Sequence, residues 1–404
     1  MTFKLSINSQ IRLVLFGEFL VITCISMTDP YWPLILKLYL PEHSHSSLVL
    51  WSTVIYLAPF VASVLAIPFW GYMGSFLGYK KMIIRCTVAL AIVQTLLIFT
   101  DHIVEIFVLR LVQGAFTGYT AVAQAFLVSK KPDGEHSFLI GKVQSMMATG
   151  TILGPVFGGF ISHYFNYYLI FTIASVTLFL LTVACVFFLS ESPLINKGKD
   201  KAKLKFSVFL KLLTPFNSYC YLLVVSTKIL RRMSASFFAL YVIDQLSGNN
   251  LQTGTLYAAM AAMVFLVAPI WGKVEDRHNK NVRYLICGLV IALFSAAAAQ
   301  VIYGFAQNFA SAVCASVLWG CALGVTNTLP LSLLTHHQKA SMKGFALSVG
   351  SSMNRLGNVF GIALGGFLYC YFGFQATFFS IGIGYLLIAF IFWCCRGVVL
   401  NNKD

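Results

Sequence analysis

The stretch GTILGPVFGGFISHYFNYYLIF, residues 150–171, recurs without gaps as GNVFGIALGGFLYCYFGFQATF at residues 357–378. Both copies are apolar and carry glycines four residues apart, a spacing typical of helices that pack closely in a membrane. A second pair repeats a polar loop, WGYMGSFLGYKK at 70–81 and WGKVEDRHNKNV at 271–282. These repeats predict that the chain consists of two similar halves.

The composition is that of a protein that crosses the membrane many times. Of the 404 residues, 58% are hydrophobic and 10% are charged, and the mean hydropathy is +0.81, which excludes a soluble core with a polar shell. A spanning helix needs about 20 apolar residues, whereas a membrane β-strand alternates in polarity over about ten. We therefore predict an all-α membrane protein with twelve transmembrane helices in two six-helix halves. The predicted spans are 11–39, 48–71, 82–100, 104–128, 138–163, 167–190, 218–243, 251–272, 282–304, 308–334, 344–370 and 375–395.

The predicted halves are residues 1–190 and 218–404, each with six spans. The basic linker between them, 191–217, holds the longest polar stretch of the chain, ESPLINKGKDKAKLKFSVFLK. Transporters built from two repeats place the substrate site near the middle of the membrane, between the halves, and expose it to each side in turn. The repeat therefore favours a transporter over a channel or an enzyme.

The positive charge is concentrated in alternate loops. The formal net charge is +15, and most of the 28 Lys and Arg residues fall in the loops on the side of the two termini. By the positive-inside rule, both termini and these loops face the cytoplasm, and the protein is placed in the cytoplasmic (inner) membrane. A basic surface facing anionic lipid accounts for the charge, so we expect the lipid bilayer and no nucleic acid as a partner.

Four short motifs stand out in the loops and spans. They are Gly71, Ser75, Gly78, Lys80 and Lys81 after span two; Arg110, Gln113, Gly114 and Gly118 in span four; Gly150, Gly154, Pro155, Gly158 and Gly159 in span five; and Gly272, Asp276 and Arg277 in the second half. Together they resemble the major facilitator superfamily, specifically its drug:proton antiporter branch with twelve spans. The span-five motif is the most specific. Ser75 departs from the family pattern, which has Asp there, so the charged latch expected after span two is missing in the first half.

The resemblance implies secondary transport driven by a proton gradient, with no cofactor and no metal. Independently of the family, glycines on one helix face let a neighbouring backbone approach closely, and Pro155 removes a backbone donor and can bend its span. Static helix packing is the alternative role of this motif. It is favoured at 357–366, where the glycines recur without the proline.

Six cations remain once the loops are assigned, and three of them lie in one span. Lys228, Arg231 and Arg232 stand at i, i+3 and i+4 of span seven, which places them on one helical face. Each charge at the centre of a spanning helix costs about 2.5–3.5 kcal/mol, so these side chains must face water, a counter-charge or a ligand. The six are Lys37, Arg110, Lys228, Arg231, Arg232 and Arg355.

Two acidic residues, Glu18 and Asp29, lie well inside span one. They are eleven residues apart, which brings them within about 20° of one another on a continuous helix, so both are expected to face one cavity. We favour Asp29 as the proton-coupling residue, with Glu18 second, because Pro30 and Pro33 interrupt the helix beside Asp29 and expose carbonyl groups. A changing contact with Arg110 would load and release the proton; a static pair of Arg110 with Asp29 is the alternative.

The excess of buried cations over buried acids suits an anionic substrate, because Arg binds carboxylates in a bidentate manner. The predicted substrate-binding residues are Lys228, Arg231, Arg232 and Arg355. Three alternative roles stay open for the cations. The first is that Arg110 serves only to pair with Asp29. The second is that one cation of span seven extends to the lipid headgroups, and the third is that Arg355 contacts the cytoplasmic loop motifs.

The predicted function is proton-coupled export of a small organic anion, such as a carboxylate siderophore or an acidic drug, by alternating access. Import of an anionic metabolite or a ferric siderophore would use the same residues and is the alternative within transport. A non-transporting receptor with a transporter fold is the alternative outside it. The sequence carries no phosphate-binding loop and no spacing of catalytic residues, so we expect neither an ATP-driven pump nor an enzyme. We expect a monomer.

Overall fold

The computed structural model describes residues 6–40, 45–130, 136–191, 214–278, 282–327, 329–330 and 340–394. These residues form helices and the turns between them, and the described ranges contain no β-strand. The helices are α1 (Ile7–Ser26), α2 (Trp32–Lys37), α3 (His45–Leu77), α4 (Tyr79–Leu96), α5 (Ile103–Phe116), α6 (Tyr119–Lys130), α7 (His136–Tyr164), α8 (Tyr167–Phe188), α9 (Pro215–Met233), α10 (Phe238–Leu240), α11 (Asn250–His278), α12 (Val282–Phe305), α13 (Phe309–Thr326) and α14 (Ala340–Cys394). This confirms the predicted all-α class.

Within the described ranges, ten segments are long and apolar enough to cross a membrane. One of them, Ser352–Cys394, covers both of the last two predicted spans. Its helix α14 is interrupted at Gly373, where a φ of 74° breaks the helical backbone between the two. Helix α9 is outside the ten and carries the three cations of predicted span seven. The break at Gly373 divides one segment into two and α9 adds another, so the ten segments are consistent with the twelve predicted spans.

Span seven is shorter than predicted. The sequence predicts one helix over 218–243, but α9 ends at Met233, and the backbone N–H of the cap residue Ser234 donates to the Arg232 carbonyl. The chain resumes with α10 and a π-helical turn, Tyr241–Gln245. Because no Gly or Pro marks this break, the sequence gives no local signal for it.

Span one is also interrupted, and here the cause is local. Helix α1 ends at Ser26, and a 3₁₀ turn, Asp29–Tyr31, precedes α2. The ring of Pro30 cannot continue a helical hydrogen-bond ladder, so the interruption expected from the prolines is confirmed. The predicted alignment of Glu18 with Asp29 assumed one continuous helix, which the end of α1 at Ser26 contradicts, and a shared cavity for the two acids stays a prediction.

The chain divides into two compact units. The first takes its described residues from 6–40, 54–191 and 249–255, and the second from 45–53, 214–248 and 256–394. The core of the first unit is formed by apolar residues of α1, α4, α6, α7 and α8, such as Val14, Leu90 and Phe126. The simpler boundaries at residues 190 and 218 stay a prediction.

The first unit contains a close contact between α1 and α7. A side chain at Gly150 would meet the Phe19 carbonyl oxygen at 2.8 Å, and one at Gly154 would meet the Ser26 Cβ at 2.6 Å. Both distances are shorter than real side chains tolerate, so only glycine lets the two helices lie this close.

The second unit repeats this contact between α9 and α14. A side chain at Gly357 would meet the Val225 carbonyl oxygen at 3.0 Å, and one at Gly361 would meet the Arg232 Cβ at 2.9 Å. The packing role favoured for 357–366 agrees with these contacts. The glycines therefore fix where α9, with its cations, lies against α14.

Candidate functional site

Arg110 and Asp29 form the ion pair considered from the sequence. The Arg110 side chain, on α5, is 2% exposed, and its Nη2 lies 3.6 Å from Asp29 Oδ1. Neutral groups hold the rest of the guanidinium: Nη1 donates to Gln113 Oε1 at 2.8 Å, Nε donates to the Ile55 carbonyl at 3.3 Å, and the Trp32 ring lies 4.8 Å away. Most of the described contacts of Arg110 are therefore with neutral groups.

Asp29 is placed by the turn that follows α1. Its carboxylate is 35% exposed, in contrast to the buried guanidinium of its partner. Its backbone carbonyl accepts a hydrogen bond from the Tyr56 hydroxyl, which fixes the turn to α3. The result is a partly exposed carboxylate held against a buried cation.

Glu18 lies in a separate environment. Its side chain is fully buried on α1, and Oε1 accepts a 2.6 Å hydrogen bond from Thr120 Oγ1 on α6. Within the described parts of the chain, Oε2 has no hydrogen-bond partner. A buried carboxyl group with one unsatisfied oxygen is costly in its charged form. Glu18 and Asp29 therefore each have their own partners, and the contacts do not join them.

The cations of span seven separate into two groups. Lys228 Nζ and Arg231 Nη1 both reach Asn327 Oδ1, at 3.5 and 3.0 Å. Arg232 turns toward α14 instead, where its Nε donates to Asn358 Oδ1 at 3.2 Å. The single cationic face predicted from the helical spacing is therefore divided between two amide oxygens.

The region around Lys228 and Arg231 carries excess positive charge. Among the described residues, no carboxylate oxygen lies within 4.0 Å of either cation. Arg231 lies in the last turn of α9, where the partial negative charge of the helix end favours a cation. Arg355, predicted as a fourth binding residue, has an exposed side chain on α14, and no described contact joins it to the other three.

Glu191, the first residue of the predicted linker, contacts the residues at the start of α4. Gly78 precedes α4 with a φ of 87°, and Glu191 lies against it. The backbone N–H of Lys80 donates to Glu191 Oε1 at 3.2 Å, while Lys80 Nζ donates to the Val186 carbonyl at 2.8 Å. Glu191 thus brings a carboxylate to the loop in which Ser75 replaces the Asp of the family pattern.

The other loop motif residues are only partly described. Gly71, Ser75 and Asp276 lie outside the residues whose side chains the structure describes. Lys81 and Arg277 have exposed side chains, and Gly272 has open space around it. The gating role of these residues stays a prediction.

The span-five motif meets both α1 and the first turns of α11. Helix α7 continues through Pro155, whose carbonyl accepts a 2.9 Å hydrogen bond from the Tyr31 hydroxyl. A side chain at Gly159 would meet the Gly254 Cα at 3.0 Å, and Gly158 lies against the Met27 carbonyl. These contacts are close packing; a role of the motif in movement stays a prediction.

One further cation lies inside a helix of the first unit. Arg85 lies within α4, in predicted span three, where its guanidinium stacks 3.8 Å from the centre of the Trp70 ring. Its Nη2 approaches the Thr117 carbonyl at 3.4 Å. An aromatic ring and a backbone carbonyl therefore hold this cation.

Sequence reasoning also missed the polar partners. Asn327, Asn358 and Thr120 receive or donate the hydrogen bonds that organise the buried charges. Asn358 is flanked by Gly357 in an apolar run, and an amide in such a run needs a partner. That signal was present in the sequence, but only the fold shows which cation each amide meets.

Known proteins resemble this chain along nearly its whole length. The multidrug resistance protein MdtG of Proteus mirabilis (strain HI4320) is 26% identical over 378 residues and covers 92% of each chain. The protein of the same name from Dickeya zeae (strain Ech586) is 27% identical over 389 residues, covering 93% of this chain and 92% of its own.

Solved structures show the same fold. A bacterial homologue of the human lysosomal transporter Spinster, inward-facing and unoccupied, matches with a TM-score of 0.78 at 14% identity, covering 98% of both chains. The human organic anion transporter MFSD10 (TETRAN) matches with a TM-score of 0.69 at 16% identity, covering 96% of this chain and 100% of that one. The sequence model of the Major Facilitator Superfamily matches residues 14–357 and 220–400. The resemblance drawn from the four motifs is thereby confirmed, and the chain belongs to the Major Facilitator Superfamily of membrane transporters.

Proposed function

We propose that this transporter exports an organic anion in exchange for protons, across the cytoplasmic membrane and with both termini in the cytoplasm. One observation carries the proposal: Lys228 and Arg231 converge on a single neutral oxygen, that of Asn327. No carboxylate of the described residues lies within 4.0 Å of either cation. The positive charge therefore suits a partner that the chain itself does not supply in its described parts.

The energetic cost of these cations supports a ligand. Two charges near the centre of a membrane cost about 5–7 kcal/mol on insertion scales. The end of α9 returns about 0.3–1 kcal/mol for a cation, and the two hydrogen bonds to the neutral amide return about 3–6 kcal/mol together. These contacts offset the cost without neutralising the charge, and an anionic substrate would add the stronger charge-assisted hydrogen bonds that an amide cannot make. Acidic drugs and carboxylate-rich chelators of the siderophore kind have the required charge.

Proton coupling is assigned to Asp29 with Arg110, and Glu18 is the second candidate. The Asp29 carboxylate is partly exposed while Arg110 is buried, so a proton can reach Asp29 while the Arg110 side chain stays in place. When Asp29 is charged it pairs with Arg110; when it is protonated the pair is lost and the local charge rises. The energy source is then the proton gradient, and the chain needs no cofactor.

Export is favoured over import by two points. The span-five motif resembles the antiporter pattern, and the relatives from Proteus mirabilis and Dickeya zeae are named multidrug resistance proteins. The same cations would serve an importer of an anionic metabolite or a ferric siderophore. A strain that lacks the gene separates the two directions, because it retains an exported compound and fails to acquire an imported one.

The decisive experiment measures uptake by the purified protein in liposomes with an acidic interior. Citrate, EDTA and carboxyfluorescein serve as anionic probes, ethidium as a cationic one, and protein-free liposomes as the blank. We expect uptake of at least one anionic probe, which stops when a protonophore removes the gradient. Uptake of ethidium alone, or anion uptake that ignores the gradient, would overturn the proposal.

Substitutions then locate the site. Lys228→Gln and Arg231→Gln each remove one charge, and we expect each to raise the KM for the anionic probe about tenfold or more, as truncation of one partner of a charge pair does. Lys37→Gln, on an exposed lysine of α2, is the matched control and should leave the KM unchanged. Equal KM values in all three variants would place the anion elsewhere.

A further inference from the structure

We infer that the side chain of Asn327 is an internal stand-in for the carboxylate of the substrate, and that its neutrality makes the site selective for anions. This inference rests on the proposed function and concerns the same cations. Asn327 Oδ1 lies 3.0 Å from Arg231 Nη1 and 3.5 Å from Lys228 Nζ. It thus occupies the position between two cations that an oxygen of a bound carboxylate would take.

The position of Asn327 is set by the fold rather than by the cations. Asn327 caps the C-terminus of α13, and its backbone N–H donates to the Leu323 carbonyl at 3.1 Å. The electrostatics also fix which end of the amide faces α9: an NH₂ group turned toward two cations would be repelled, whereas the carbonyl oxygen is attracted. The backbone of Asn327 is therefore held at the helix end, and its side-chain oxygen faces the cations.

The exchange of this oxygen for a carboxylate is favourable because of the donors that remain. Lys carries three N–H donors and Arg carries five, while one amide oxygen accepts only about two hydrogen bonds and a carboxylate accepts about four. Charge-assisted hydrogen bonds are roughly twice as strong as neutral ones. A carboxylate therefore displaces the amide oxygen, whereas a neutral carbonyl compound gains nothing over it.

The second amide of the region makes a different contact and supplies a control. Asn358 Oδ1 accepts one hydrogen bond, from Arg232 Nε at 3.2 Å. Gly361, one turn along α14, packs against the Cβ of the same arginine, and Gly357 packs against the Cβ of Lys228 in the same way. Among the described residues, the Asn358 oxygen contacts one cation and the Asn327 oxygen contacts two, so Asn327 has the geometry of a shared anion seat.

The test compares Asn327→Asp with Asn358→Asp in the liposome assay, using citrate, EDTA and carboxyfluorescein. Asn327→Asp places a fixed carboxylate between Lys228 and Arg231, and we expect the affinity for the transported anion to fall about tenfold or more, the fold-change of one charge-assisted contact. Asn358→Asp adds the same charge beside Arg232, whose described hydrogen bond goes to Asn358 and not to Asn327, and we expect a change below about threefold. Equal losses in both variants, or no loss in Asn327→Asp, would overturn the inference.

A second variant keeps the inference falsifiable if Asn327→Asp does not fold. Asn327→Ala removes the stand-in without adding charge, so anion affinity should stay equal or rise. A tenfold loss in Asn327→Ala would show that Asn327 is a direct ligand or a structural clamp and would overturn the inference. If the wild type transports none of the three anions, the proposed function itself is overturned. If the wild type transports an anion and Asn327→Asp transports it with unchanged affinity, only the present inference is overturned.

Discussion

The same helix contact is built twice in this protein, and only one copy carries charge. In the first unit, Gly154 of α7 packs against Ser26 at the end of α1; in the second, Gly361 of α14 packs against Arg232 at the end of α9. Both α1 and α9 end at this contact, at Ser26 and Met233. The helix contact is thus repeated while the side chains at it differ. The glycines determine how closely the helices pack, and the residues opposite them determine whether the contact carries a charge.

The two units differ in how these cations are paired. In the first unit a cation has its own acid, Asp29 with Arg110 at 3.6 Å. In the second, Lys228 and Arg231 share a neutral amide oxygen. A balanced pair suits the loading and release of a proton, because protonation of the acid changes its charge state. An unbalanced pair of cations suits the binding of an external anion.

The largest expected effect comes from breaking the balanced pair. Asp29→Asn keeps the shape of the side chain and removes its charge, while Gln113 and the Ile55 carbonyl continue to hold Arg110. We expect downhill movement of the anionic probe to persist and its dependence on the pH gradient to disappear. The measurement is uptake into liposomes at several imposed gradients.

Glu18→Gln is the matched control for this prediction. Its carboxyl group is held by Thr120 rather than by a cation, so gradient dependence should survive. If Asp29→Asn keeps full coupling and Glu18→Gln loses it, the roles of the two acids are the reverse of those proposed here.

An intermediate effect sharpens the comparison of the two glycine contacts. Gly361→Ala places a methyl group 2.9 Å from the Arg232 Cβ and still closer to the Ile229 carbonyl, so α9 must shift. Overpacking of this kind costs about 1–3 kcal/mol. We expect a lower Tm together with a higher KM for the anionic probe, because the cations move with α9.

Two glycines serve as controls for Gly361→Ala. Gly154→Ala is equally crowded, with Ser26 Cβ at 2.6 Å, and should lower the Tm without the same rise in KM, since no cation lies at that contact. At Gly382 the nearest atom would be 3.4 Å away, so Gly382→Ala should change neither quantity. An equal rise in KM for Gly154→Ala and Gly361→Ala would mean that the contact does not position the cations specifically.

The smallest expected effect concerns the loop after span two. Glu191→Gln weakens the hydrogen bond from the Lys80 backbone N–H, and a contact at an exposed site contributes about 0.2–1 kcal/mol. We expect a transport rate reduced by less than about threefold. Glu191→Lys, which reverses the charge beside Lys80 and Lys130, should reduce it further, and an unchanged rate in both would exclude a latch function for Glu191.

Much of the fold was predictable because it depends on local and periodic signals. Apolar runs of the required length located the membrane helices, and Pro30 predicted the interruption of span one. The end of α9 at Met233 was not predictable, because the residues around Met233 have no special backbone preference. At this point α9 packs against Gly365 of α14, which is far away in the sequence. The contact of Arg85 with Trp70 was not predictable for a related reason, since the positions of two residues in the sequence do not show that the ring of one covers the guanidinium of the other.

By itself, the sequence determined that the protein is a two-fold repeated bundle of membrane helices, with glycines at the helix contacts and more cations than acids within the predicted spans. These properties follow from hydropathy, spacing and residue type, which need no knowledge of neighbours. Only the tertiary structure decided which groups meet: Arg110 with Asp29, Thr120 with Glu18, and Lys228 with Arg231 at Asn327. Such contacts join residues about 80 to 100 positions apart, and hydrogen bonds act only over about 3 Å, so the sequence order carries no record of them.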